Sequence, residues 1–394
     1  MAMSNQPALF AASELDALER EVIARIDDLR GKLRYAVAAP KTWTGLLRRA
    51  TLARSIQGSN LIEGYHVTLD DAIAAIEHGE PLQANAEVWQ AITGYRNAMT
   101  YILQLSDDPH FSFNEGLIRS LHYMMLHHEL AKNPGKWRPG PIFVRREPAG
   151  DIVYEGPSDE LVPGLMHELV DRLNAKESTP PMIRAAMGHL NLVMIHPFSD
   201  GNGRMARAIQ TLVLAREGIL AKEFCSIEEY LGRYQQEYYA VLGEVGAGQW
   251  HPERDARPWV RFCLRAHYRQ ASRLLRRTRE VKRLWDEIEI EIKRRGLPER
   301  TIYAVAEAAM GGRVRNSTYR PVAEVSDHTA SRDLKLLVDQ GLLLPDGEKR
   351  GRSYIASPQV RAIRSRTRDR EPRVDEDPFE SRQQILFPEP KPSP

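Results

Sequence analysis

Apolar residues recur at three- and four-residue spacing along most of this chain, the period of helices that bury one face. The stripe runs through residues 13–33, with Ser13 placed as an N-cap, and through 46–65, where Gly64 suits a C-cap. Further helices are expected over 68–77, 84–105, 114–130, 158–176, 181–195 and 205–220. Residues 226–242 read as one more, with Ser226 as cap and Glu229 at its third position. Residues 258–293 are long, charged and helical, with Trp259, Phe262, Leu264, Leu274 and Leu284 as apolar points, which suits a connecting helix or pair. One stretch breaks the period. Two β-prone runs, at 142–144 and 152–154, flank the turn signal Glu147-Pro-Ala-Gly150-Asp, so a β-hairpin is expected within a helical protein.

Past residue 297 the pattern shortens. Helices at 301–310 and 326–341 precede a strand, turn and strand over 342–355, an order that resembles a winged helix. Residues 329–340 would be its recognition helix and 345–353 its wing. Arg332, Lys335, Lys349, Arg350 and Arg352 could meet phosphate, while Asp327, Asp333 and Asp339 oppose it. After Ser357 the chain turns Arg/Asp/Glu/Pro-rich, a composition expected to give a mobile tail. Division into 1–105, 106–250, 251–296, 297–357 and 358–394 follows from these shifts.

Composition narrows the picture only a little. A chain of 394 residues with 42% apolar content has length for two or three domains and material for sizeable cores. A net charge of +2 selects no partner class. Two cysteines, Cys225 and Cys263, are too few for a disulfide framework, so a reducing cytoplasm is expected. No apolar run approaches membrane-spanning length, and the first residues carry no basic region ahead of an apolar core, so neither insertion nor secretion is expected. His122, His127 and His128 share one expected helix, but their spacing puts no pair on one face as a metal would need. They read as surface or core-edge residues.

The chemistry concentrates between two helices, in His196-Pro-Phe-Ser-Asp200-Gly201-Asn202-Gly203-Arg204-Met-Ala-Arg207. Glycines let successive backbone N–H groups form a concave nest, and a helix N-terminus adds partial positive charge, so the segment suits phosphate. Arg204 and Arg207 lie on adjacent turns and can reach further phosphates with charge-assisted bonds. Asp200 is a candidate ligand for a Mg²⁺ bridging them. His196 can take a proton from an incoming hydroxyl, because histidine titrates near neutrality. Together these parts suit nucleotidyl or phosphoryl transfer from a nucleoside triphosphate.

The same twelve residues match without a gap the Fic-family signature His-Pro-Phe-x-Asp-Gly-Asn-Gly-Arg-x-x-Arg, and the chain thereby resembles that family. The resemblance implies a mainly α fold, a helical bundle with a hairpin flap. It also implies AMP transfer from ATP to a Ser, Thr or Tyr hydroxyl of a target protein, this chain itself included. His196 would be the base, Asp200 the ligand of Mg²⁺ or Mn²⁺, and Asn202 with the Gly201 and Gly203 amides the α-phosphate cradle. Arg204 would hold the β-phosphate side and Arg207 the γ-phosphate. Gly203, absent from relatives that transfer phosphate, favours AMP.

Three further features are implied by the same resemblance. Ser59-x-x-x-Glu63-Gly64 is similar to the inhibitory motif of autoinhibited members, in which the glutamate pairs with the second arginine, here Arg207. The hairpin over 142–155 would be the flap, aligning a target segment by strand addition, with Ile142, Phe143, Val144 and Arg145 on the nucleotide side. Tyr238 and Tyr239 match a position flanking the adenine and ribose, whereas the asparagine some relatives carry beyond that pair is replaced here by Gly246-Ala-Gly248. Removal of AMP with help from Glu63, and a homodimer, stay open. So does an alternative: a nucleotide-sensing, DNA-binding regulator built on a Fic core.

Overall fold

The computed structural model describes residues 9–37, 42–77, 79–146, 149–175, 179–218, 224–347, 352–369 and 376–380. Helix α1 (Ala17–Val37) starts later than Ser13 suggests. Asp16 and Glu19 cap one another, each carboxylate accepting the other's backbone N–H at 2.9 and 2.8 Å, which satisfies two orphan donors at once. Ser13 instead donates its hydroxyl to Asp255. Helix α2 (Thr42–Ile62) stops where Gly64 takes φ +84, a conformation that costs a glycine little. Three short-side-chain caps then open three helices: Thr68 before α3 (Leu69–Ile76), Asn85 before α4 (Ala86–Leu105) and Asn114 before α5 (Glu115–Leu126).

The expected hairpin is present as β1 (Phe143–Arg146) and β2 (Asp151–Glu155), antiparallel, with Val144 opposite Tyr154 and an irregularity between Val144 and Arg145. Residues 147 and 148 of its turn lie outside the described residues. The Tyr154 hydroxyl donates to the Met194 carbonyl at 2.8 Å, and the Glu155 N–H to the Gly248 carbonyl at 2.9 Å, which ties the hairpin's second strand to the bundle.

After α6 (Val162–Asn174) come the two central helices, α7 (Pro181–Ile195) and α8 (Asn202–Arg216). Nearly every residue of α8 from Asn202 to Ala215 is buried, as expected of a helix enclosed on all sides. Apolar period alone predicts a single helix over 226–242, but the chain breaks at Tyr234 into α9 (Glu228–Arg233) and α10 (Gln235–Gly246). Ser226 is not the cap; its hydroxyl accepts the Glu228 N–H from outside the helix.

Helices α2 and α9 touch backbone to backbone. A Cβ on Gly58 would stand 2.4 Å from the Glu228 carbonyl oxygen, and one on Gly232 would stand 2.7 Å from the Gly58 Cα. Alanine normally favours a helix over glycine by up to about 1 kcal/mol. Here the sign should reverse: Gly58→Ala is expected to destabilise by roughly 1–3 kcal/mol through overpacking, read as a lower thermal midpoint.

Helix α11 (Arg257–Arg294) is a single helix and more than a connector. Its apolar points are buried, and its first turns pair Arg257 and Arg261 with Asp16 and Glu19 of the N-terminal region. It lies against α1 and α7 at one end and against the C-terminal elements at the other. Those elements are α12 (Ile302–Ala309), α13 (Asn316–Val322), α14 (Asp327–Asp339), and the hairpin β3 (Leu343–Asp346) and β4 (Ser353–Ala356). One continuous core includes Leu47, Met205, Leu264, Val305 and Ile363, so the C-terminal elements share it with the bundle. Asp333, expected to oppose phosphate, is buried and bonded to Arg300 and the Tyr319 hydroxyl. Residues 348–351, which include Lys349 and Arg350, lie outside the described residues.

Where residues of the expected tail are described, they are packed and not mobile. Pro358–Thr367 forms α15, capped by Ser357, and buries Val360 and Ile363 against the core. Residues 376–380 lie along α1 and α11, where Glu376 pairs with Arg25 at 2.7 Å and Asp377 with Arg265 at 2.6 Å. Charge-rich composition concealed an apolar pair at i, i+3.

Candidate active site

His196 ends α7 in the left-handed conformation, φ +52, which a non-glycine residue rarely adopts. Its Nδ1 lies 3.0 Å from the Val193 carbonyl. A carbonyl only accepts, so Nδ1 carries the proton and Nε2 keeps its lone pair. Burial holds the ring's pKa below the ordinary value. The imidazole is therefore neutral at pH 7 with Nε2 poised as a base.

The loop that follows is braced from within and from behind. Asn202 closes it, Oδ1 accepting the Phe198 N–H and Nδ2 donating to the Phe198 carbonyl, both at 2.9 Å. The amide expected to cradle phosphate is thus committed to holding the turn. Gly201 sits at φ +75 against Leu126, whose Cδ1 is 2.8 Å from where a Cβ would be. Sequence reading missed two supports. Arg138 is buried, donates to the His196 carbonyl at 2.9 Å and the Gly140 carbonyl at 2.5 Å, and bonds the Pro157 carbonyl, joining loop to hairpin. His122 stacks on Phe198 with ring centroids 3.7 Å apart, accepts the Gly135 N–H at Nδ1 and donates from Nε2 to the Asp200 carbonyl. The only signal for it was a histidine on the apolar face of α5.

Two buried histidines near the site, His122 and His189, make the fold here pH-sensitive. Burial pushes His122 down to about 4, and His189, buried behind α8, down to about 3. An unfolded histidine titrates near 6.5, so between about pH 6.5 and about 4 the unfolded chain binds more protons than the folded one. The stabilisation is complete above that window and is lost as pH falls through it. His122 alone is worth on the order of 3 kcal/mol. The thermal midpoint is expected to drop clearly between about pH 7.5 and about pH 5.

Asp200 accepts the Gly201 N–H at 2.6 Å and faces Lys132 Nζ at 3.5 Å, with its carboxylate partly open to solvent. Among the described residues there is no cluster of three or more His, Cys, Asp or Glu that could hold a metal. A Mg²⁺ or Mn²⁺ here would have Asp200 as its protein ligand and take phosphate and water oxygens for the rest, the usual way Mg²⁺ binds, so the donor set fits.

The two arginines stand in opposite states. Arg204 is 1% exposed, its Nε and Nη1 have no hydrogen-bond partner among the described residues, and its guanidinium lies 5.7 Å from the Tyr65 ring centre. A buried cation left so is costly unless an anion arrives. Arg207, also 1% exposed, is gripped by α2 and the turn after it. Its Nε donates to Ser59 Oγ at 2.8 Å, and its Nη2 donates to the Ser59 carbonyl at 3.1 Å and to Glu63 Oε1 at 2.7 Å. Burial opposes the Arg207 charge, but Glu63 and nearby tyrosine hydroxyls more than offset this and hold its pKa above the usual range. Glu63 Oε1 lies directly over Gly203, 2.6 Å from where a Cβ would stand. Residues separated by well over a hundred positions thus meet at one guanidinium.

The tyrosine pair divides. Tyr238, expected beside the adenine, is 1% exposed and bonded to His189 at 2.9 Å, so it belongs to the core. Tyr239 is 50% exposed, and its hydroxyl donates to the Ile62 carbonyl at 2.8 Å beside Gln235 at 3.0 Å. It clamps the last residue of α2. On β1, Phe143 and Arg145 are exposed and Val144 is half-buried, as is Ile142 just before the strand; the strand's outer edge pairs with no described residue.

A profile of the Fic/DOC family matches residues 112–214. The protein adenylyltransferase Fic of Nematostella vectensis is 28% identical over 277 residues, 68% of this chain and 59% of that one. The adenylyltransferase fic-1 of Caenorhabditis elegans is 27% identical, over 66% of this chain and 47% of its own. The chain thus spans about half the length of the curated relatives it matches. Among solved structures, a Fic family protein from Desulfovibrio desulfuricans G20 superposes with a TM-score of 0.58 at 23% identity, covering 89% of this chain and 99% of that one. Fic-1 from C. elegans superposes with a TM-score of 0.53 at 24% identity, over 66% and 72%. The fold is shared with both. With the twelve-residue loop, the two central helices and the hairpin inside or beside the matched span, the chain carries a Fic domain across residues 112–214.

Proposed function

We propose that this chain is a protein adenylyltransferase held off by its own α2 segment. One observation carries the reading: His196 has Nδ1 committed to the Val193 carbonyl, which leaves Nε2 to act as a base, and it stands at the mouth of a nest that ends in Arg204, whose Nε and Nη1 have no hydrogen-bond partner among the described residues. A nucleotide sensor would need the nest but not the base. In the proposed step a target hydroxyl oxygen attacks the α-phosphorus of ATP while His196 Nε2 takes the hydroxyl proton. The bond from the α-phosphorus to the bridging oxygen breaks, and pyrophosphate leaves with that electron pair. The Gly201 and Gly203 amides and the start of α8 face the α-phosphate, and Arg204 receives the β-phosphate side. A divalent cation on Asp200 would screen phosphate charge when bound. The free outer edge of β1 suits a target segment added as a strand.

Regulation follows from Arg207. While Ser59 and Glu63 hold it, the γ-phosphate has no cationic partner there, and the Glu63 carboxylate repels what remains. ATP with label on its α-phosphate, given to the parent chain, His196→Ala and Glu63→Gly in the presence of cell lysate, tests both halves. Glu63→Gly should label proteins more strongly than the parent and His196→Ala not at all; equal labelling by all three overturns the reading. A finer test lies in Tyr239→Phe, which removes one of two bonds to the end of α2. A net hydrogen bond is worth about 0.5–1.5 kcal/mol, so labelling should rise roughly two- to ten-fold.

A further inference from the structure

Away from the histidine loop, a cavity of about 370 Å³ opens between the end of α12, strand β4 and helix α15. Its walls differ in chemistry. One is apolar, built from Ala308, Ala309, Ile355 and Ala356. The other carries Arg361, Arg364 and Arg368, three and four residues apart and so on one face of α15 and its end. Like charges at that spacing repel. Among the described residues only Arg364 has a counter-charge, Glu280 at 3.5 Å, and its Nη1 is buried with no partner there. Arg361 and Arg368 make no side-chain hydrogen bond or ion pair with another described residue. Between the walls, Gly311 at φ +96 has open space where a side chain would begin.

A buried guanidinium nitrogen without a partner is costly, and a group of three cations facing one concavity raises that cost. An anion entering the cavity relieves it. We infer that this cavity binds a small organic anion, with its phosphate or carboxylate head on Arg361, Arg364 and Arg368 and its apolar body against Ile355 and the alanines. A nucleic-acid backbone fits less well. It meets cations spread along a surface, whereas these converge on a hollow with one dry wall. The inference is independent of AMP transfer, because no residue of the histidine loop takes part.

The probe is 1-anilinonaphthalene-8-sulfonate, an oxyanion on an apolar body, titrated by fluorescence into the full chain with inorganic phosphate as competitor. Two variants accompany it: Arg361→Gln with Arg368→Gln, which removes exposed charges, and Ile355→Trp, which fills the hollow. One saturable site is expected, displaced by phosphate and weakened by about ten-fold or more in each variant. Unchanged affinity in the arginine variant overturns the inference. So does a loss there that a well-folded Ile355→Trp does not share. A short DNA duplex is measured in parallel. Should Ile355→Trp melt early, the arginine variant decides: dye binding lost with duplex binding kept supports the cavity, and any other pattern refutes it.

Discussion

His196→Ala is expected to abolish AMP transfer while leaving the melting temperature and ATP affinity close to those of the parent. General-base assistance contributes about 10²–10⁴-fold to a rate, so residual labelling should fall below about one hundredth. The fold is spared because, among the described residues, the imidazole makes a single hydrogen bond, to Val193 on its own helix. The loop's shape rests instead on Asn202, His122 and Arg138. Alanine inherits the same left-handed backbone, which neither residue prefers, so little strain is gained or lost. The parent's pH profile gives a second readout. The base must be unprotonated, and burial holds His196 below the ordinary histidine value. The rate should therefore stay level through neutrality and fall only in acid below about pH 6.5. A variant that keeps a tenth of parental labelling, or a parental rate already falling through pH 7, would remove His196 from the role of base.

How much of this could be read in advance depends on sequence distance. The loop from His196 to Arg207 is contiguous, so its residue types and its place between two helices declared the chemistry directly. Glu63 was reachable only because Ser59 and Glu63 form a short pattern; nothing in local periodicity says that α2 folds back onto α8. Gly58, a glycine inside a helix, was a weak sign of a different close contact, that of α2 with α9, but its partner Gly232 could not be named from one chain. His122 and Arg138 act through backbone carbonyls, and carbonyls leave no mark in a sequence. Tyr238 misled for the opposite reason. A tyrosine suits both a nucleotide face and a core with a buried acceptor, and His189 supplied the acceptor. Composition misjudged α15, where two apolar residues at helical spacing outweigh the arginines around them.

These distances also decide the size of the second effect, that of Glu63→Gly. Breaking a buried ion pair by removing one partner costs about 3–5 kcal/mol. Glu63 is 19% exposed, so solvent already screens part of the attraction. A realised barrier to γ-phosphate binding of about 1.5–3 kcal/mol is reasonable, which makes ATP bind and label roughly ten- to a hundred-fold better in Glu63→Gly. Glu63→Gln keeps an acceptor but no charge and should fall between. The variant's stability should move the other way: Arg207 keeps Ser59 but loses its counter-charge, so without nucleotide the thermal midpoint drops. Saturating ATP returns a counter-charge to the same guanidinium, and the rise in midpoint on adding ATP should exceed the parent's. That crossing of two trends separates competition for Arg207 from simple loosening of α2. Loosening would raise labelling without enlarging the nucleotide's effect on melting, and equal ATP affinity in parent and variant would sever Glu63 from control of the site.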